Sequence, residues 1–173
     1  MKTINFYLKE GQLRKDKSII QGADSFLKKA RNNLMTLDLL FKLNTNKKAR
    51  EILKIPKDYD PNEWAVITGY YAMYTSALAL LAKIGFRSKN HTATLLVLDE
   101  FFVKKKLMDS ELLLKLKNAL FQKEEIEKLS EARHRREIAQ YSITKQTTRD
   151  IAEKIKKDSY DFVNKVTLIL MRQ

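Results

Sequence analysis

The run Arg133-His134-Arg135-Arg136 places three guanidiniums and an imidazole in four consecutive positions. Guanidiniums grip phosphate oxygens bidentately, and a nearby imidazole exchanges protons near neutral pH. Holding or cleaving a phosphodiester is the chemistry these residue types allow. Residues 129–139 favour helix. At about 100° per residue, Leu129, Ala132 and Ala139 share one stripe, and Arg136 falls inside it. An arginine directed into a core needs an anion, carbonyls or a partner subunit, since leaving it unpaired costs several kcal/mol. Arg133 and Arg136 lie close together around the helix, while His134 and Tyr141 lie on another side. The plainer reading is a helix end rich in cations that complement its dipole.

Tyr70, Tyr71 and Tyr74, with His91 further on, form a second constellation. Tyr70 and Tyr74 are one helical turn apart and suit stacking on a base or bonding a phosphate. Buried tyrosines with satisfied hydroxyls are the ordinary alternative. His91 has the position of a residue near a helix start, from which it would reach the Arg136 region if the helices pack together.

Other chemistry is excluded. The chain has no cysteine, so disulfides, thiolate metal sites and thiol nucleophiles are absent. Its four glycines are scattered singly, leaving no phosphate-cradling loop and no nucleophile elbow. Glu124, Glu125 and Glu127 alternate with lysines at helical spacing and read as a solvated face. With only His91 and His134, far apart, neither a metal nor a cofactor is expected.

These residues must be carried on helices. Ile19, Ala23, Phe26, Ala30, Leu34, Leu37 and Phe41 step by three and four, predicting a first helix from about Asp16 or Ser18. Asp60, Pro61 and Glu63 mark the start of a second, and Gly85 its stop. Within it, Gly69, Ala72, Ser76 and Ala79 form a narrow stripe that predicts a tight helix crossing. A third helix follows Ser88 or Asn90 through Phe102, a fourth runs from Asp109 or Ser110 to about Tyr141, and a fifth starts at Thr147. No stretch alternates as a strand would. The expected fold is all-α, an up-and-down bundle of four to five helices in a single domain, 1–173, with residues 1–15 as a flexible or peripheral lead-in.

The charge is 34 basic against 21 acidic side chains, a net +13. The basic excess avoids the centre: residues 1–60 carry 14 against 7, and 61–100 carry three of each sign. Such a balance suits RNA, DNA or an acidic protein, or simply solvates helices. Residues 64–82 lack charge but hold three tyrosines, two threonines, a serine and a glycine. They read as a buried core helix and not as a membrane span. No secretory signal is evident, and a cytoplasmic location is expected.

The order Gly69-Tyr70-Tyr71-Ala72-Met73-Tyr74, then 77–81, then Gly85-Phe86 and Asn90-His91 resembles the HEPN (higher eukaryotes and prokaryotes nucleotide-binding) superfamily. Residues 133–141 resemble that family's arginine-bearing helix and 152–166 its closing helix. The resemblance implies a helical bundle, commonly a homodimer through the arginine-bearing helix, that binds nucleotide or RNA. It also implies a toxin–antitoxin or defence setting with a nucleotidyltransferase partner. Ribonuclease members carry Arg-x4–6-His and cleave RNA without metal. Here Tyr141 stands at that spacing from Arg135 and Arg136, where a histidine would be. Arg136, Tyr141 and His134 are the catalytic candidates. Arg133, Arg135, Arg136, Tyr70, Tyr74 and His91 are the candidates for holding nucleotide or RNA phosphate. A helical scaffold for an acidic protein is the remaining alternative.

Overall fold

Steps of three and four bury Ala23, Leu27, Ala30, Leu34 and Leu37 along one face of α2 (Ala23–Thr45), the stripe that its sequence predicts. A computed structural model describes residues 2–134 and 141–172, and the side chains of residues 129–147 lie outside that description. Seven α-helices occur among the described residues. They are α1 (Ile4–Lys9), α2, α3 (Lys47–Ile52), α4 (Asn62–Lys83), α5 (His91–Leu98), α6 (Ser110–His134) and α7 (Tyr141–Met171). The fold is an all-α bundle, as expected.

The central element is α4, which packs against α2, α6 and α7. It is long and apolar enough to cross a membrane, yet 72% of that stretch is buried inside the fold. Its buried threonine and serine hydroxyls are satisfied within the helix: Thr75 Oγ1 donates to the Tyr71 carbonyl at 2.6 Å and Ser76 Oγ to that of Met73 at 2.8 Å. The start and stop signals are where local chemistry puts them. Asp60 Oδ1 accepts from the Asn62 backbone N–H at 2.9 Å, and Gly85 turns the chain out with φ of 73°.

Gly69 marks the tight crossing. A Cβ placed there would lie 2.4 Å from Ile155 Cγ2 on α7 and 3.5 Å from Leu37 Cδ2 on α2. Three helices therefore meet where α4 has no side chain. Further along α7, Lys156 Nζ lies 2.7 Å from Asp38 Oδ1 of α2, and the Tyr160 hydroxyl donates to Asp38 Oδ2. Burial pushes the Asp38 carboxyl up, but hydrogen bonds from Lys156 and Tyr160 outweigh it and hold the carboxyl below its usual range. The Tyr160 phenol is pushed up to about 12, chiefly by its bond to Asp38. Lys115 with Asp158, at 3.1 Å, and Lys165 with Asp109, at 3.6 Å, show that α6 and α7 run antiparallel.

The structure departs from the sequence reading in five places. Residues 1–15 are not peripheral: Tyr7 and Leu13 lie in the core. Two short strands do form, β1 (Leu13–Lys15) and β2 (Phe86–Ser88), paired antiparallel with Leu13 opposite Ser88 and Arg14 opposite Arg87. Asp16 caps a 3-10 turn at 17–22, so α2 starts later than expected. The third helix ends at Leu98 and passes into a single π-helical turn over 99–103, and α7 begins at Tyr141, six residues before Thr147.

Candidate functional site

Asn90 is an N-cap: its Oδ1 accepts from the Ala93 backbone N–H at 3.0 Å and starts α5. The next residue, His91, is thereby presented to α4 at the level of Tyr70 and Tyr74. The Tyr70 hydroxyl is hydrogen-bonded to His91 Nδ1. Burial, then the neighbouring Tyr74 and Tyr71, push the Tyr70 phenol far above its ordinary value, so it keeps its proton. The neutral ring has two tautomers in this contact: either the hydroxyl donates to Nδ1 and the ring proton is on Nε2, or Nδ1–H donates to the phenol oxygen and Nε2 is bare.

The three rings pack against one another. Tyr70 and Tyr74 stack with centroids 5.8 Å apart and 15° between planes, and the His91 ring lies 4.4 Å from that of Tyr74. Thr94 and Leu95 of α5 and Leu116 and Leu120 of α6 close the cluster, and the space between them does not admit a water molecule. Tyr70 is 1% exposed, so its hydroxyl is committed to orienting His91. The half-buried edges of Tyr74 and His91, and Tyr71 at 38% exposure, are what a ligand would meet.

Charge reaches the cluster from α6. Burial pushes His91 below its ordinary 6.5, Lys123 adds to this, and Glu124 and Glu127 oppose it. Lys123 lies 6.0 Å from the Tyr71 ring centroid and pairs with Glu127 at 2.6 Å, with only 12% of its side chain exposed. Sequence reasoning missed this lysine, because it stands in the charged run that reads as a solvated face. The signal available was spacing: Leu116, Leu120, Lys123 and Glu127 share one helical stripe.

The depressed His91 value has a consequence for stability. As pH falls below about 6.5, the unfolded chain takes up a proton that folded His91 resists, so stability falls until the folded ring also titrates. Asp38 is held below 3.8 and so loses its contribution only in more acidic solution. Urea midpoints should therefore drop between about pH 7.5 and 5.5, and His91→Gln should flatten that drop. An unchanged slope in the variant would contradict the assignment.

The structure thus brings together Tyr70, Tyr74 and His91. Arg135 and Arg136 lie outside the described residues. The α6 backbone runs to His134 and that of α7 starts at Tyr141, while the side chains of Arg133, His134 and Tyr141 lie outside the description. Among the described residues, no three His, Cys, Asp or Glu side chains gather as metal ligands.

No protein-family model matches the chain, and no solved structure matches it. Over 98 residues it is 35% identical to the UPF0332 protein of Archaeoglobus fulgidus, a stretch that covers 57% of this chain and 67% of that protein.

Proposed function

The chain belongs to the UPF0332 protein family, and on that footing we propose that it is a HEPN-like protein that binds nucleotide or RNA between His91 and the arginine-bearing end of α6. The observation that carries this reading is the His91 cluster. A neutral imidazole, fixed through Nδ1 by a buried tyrosine, is laid against the helix that leads to Arg133 and His134. In the tautomer in which Tyr70 donates to Nδ1, such a ring can donate to a phosphate oxygen from Nε2. The tyrosine edges offer stacking area, and the net charge of +13 supplies attraction for a polyanion.

Within this reading the arginines at 133, 135 and 136 hold phosphate, and Tyr141 donates a hydrogen bond in place of a histidine. A homodimer would bring two arginine-bearing helices together. A nucleotidyltransferase partner in a toxin–antitoxin or defence pair follows from the HEPN resemblance by analogy alone.

Equilibrium binding of fluorescein-labelled single-stranded RNA and of ATP tests the proposal. The expected result is binding of at least one of them at about 50 mM salt, with RNA affinity falling steeply toward about 200 mM. Binding of neither at low salt would contradict it. The same samples, kept in a chelator, separate binding module from metal-independent endoribonuclease. The second is favoured by one observation, that burial keeps His91 neutral, so that in the tautomer whose Nδ1–H donates to Tyr70 a bare Nε2 can accept a proton near pH 7. RNA cleavage that His91→Gln abolishes selects that form of the proposal, whereas intact RNA selects the binding form.

A further inference from the structure

Leu13 and Phe86 are both buried, and their anchoring fixes the register of the two-stranded ribbon. That register sets Arg14 directly opposite Arg87, both on the exposed side. Like charges in facing positions destabilise a strand pair unless an anion lies between them. Arg87 has partial relief from Asp16, whose Oδ2 is 3.3 Å from Nε. Arg14 has no ion pair among the described residues. Lys9, Lys15, Lys17 and Lys89 are exposed on the same two segments, where Glu10 and Asp16 are the acidic residues.

The support under these arginines is stiff. The Asp16 N–H donates to the Gly85 carbonyl at 2.8 Å, and that of Lys89 to the Gln12 carbonyl at 2.9 Å. Asn90 Nδ2 also donates to Gln12 Oε1 at 3.0 Å, so the ribbon is clamped to the residue that caps α5 before His91. Two planar forks carried on facing positions of a clamped ribbon match the oxygens of phosphodiesters. None of the large exposed apolar side chains falls within residues 9–17 or 86–90. A folded acidic protein would need such anchors for the centre of an interface, whereas a nucleic-acid backbone does not.

We infer that the Arg14–Arg87 ribbon is a binding surface for the phosphate backbone of a nucleic acid. It is distinct from the His91 cluster and does not depend on it. A phosphate strand lying there would be held beside the loop that ends in His91.

Anisotropy of a labelled single-stranded RNA of about twenty nucleotides, measured across a salt series, tests this. Arg14→Gln/Arg87→Gln should weaken binding roughly tenfold and reduce the log–log salt slope by between about one and two. The charge-matched Lys47→Gln/Lys48→Gln pair on α3 should change affinity by less than about twofold. Circular dichroism confirms the fold of each variant. Arg14→Gln alone breaks no ion pair and should weaken binding roughly threefold if the double variant fails to fold. Equal losses at the ribbon and on α3, or an unaffected ribbon variant, would overturn the inference. So would polyglutamate competing as well as unlabelled RNA, which would point to an acidic protein. RNA binding that needs His91 but ignores the ribbon overturns this inference alone, while binding that needs the ribbon but ignores His91 leaves it standing and removes the His91 site.

Discussion

Gly69→Val is expected to remove about 3 kcal/mol of stability, a large share of the roughly 5–15 kcal/mol that holds a domain together. The reason is the crossing of α2, α4 and α7. A Cβ at this position meets Ile155 Cγ2 at 2.4 Å, too close for any real pair of carbons, and Leu37 Cδ2 blocks the other side at 3.5 Å. Ile155 is 1% exposed and Leu37 fully buried, so neither can swing into solvent. Valine adds two methyl groups to that contact. The helix gains some propensity from losing a glycine, on the order of half a kcal/mol, which the overlap outweighs. Urea denaturation of Gly69→Ala, Gly69→Val and Gly69→Ala/Ile155→Leu checks the argument. The leucine moves the branch away from Gly69 and should recover part of the loss. If Gly69→Val is as stable as the parent chain, the helices are not as close as described.

The largest functional effect is expected at Arg136. A charged, bidentate hydrogen bond to phosphate contributes about 1.5–3 kcal/mol. Arg136→Ala should therefore weaken RNA binding by roughly 10–100-fold while far-UV circular dichroism stays that of the parent chain. Arg136→Lys should recover only part of the affinity, since an ammonium keeps the charge and loses the fork. A variant whose oligomeric state changes while its RNA affinity does not would instead assign Arg136 to an intersubunit ion pair.

How far the sequence could be read follows from the range of the forces involved. The limits of α4 were legible because caps and left-handed turns are local: Asp60 and Gly85 act within a few residues. The buried face of α2 and the crossing at Gly69 were legible because helical period brings their residues into line. The ribbon was not. Three-residue strands carry no alternation, and Leu13 meets Ser88 only because the long intervening chain folds back. The π-helical turn at 99–103 likewise arises in a run that reads as continuous apolar helix.

The site divides in the same way. Tyr70, Tyr74 and His91 stood out by type, but their joining through a hydrogen bond and ring contacts is tertiary. Lys123 stayed hidden because a charged helical run does not say which of its sides a neighbour covers. The buried stripe of α6 runs through Leu116, Ala119 and Ile126, and the arginines that first drew attention follow it in sequence, at positions whose side chains lie outside the described residues.

The central claim is that His91 and Arg136 hold one anionic ligand between them. A double-mutant cycle tests it most directly, with RNA dissociation constants for the parent chain, His91→Gln, Arg136→Ala and the double variant. Two groups clamping one ligand should show a coupling of about 1 kcal/mol or more, the double variant binding markedly tighter than the two separate losses predict. Losses that add to within about 0.3–0.5 kcal/mol would mean the residues act apart, and the shared site would be contradicted.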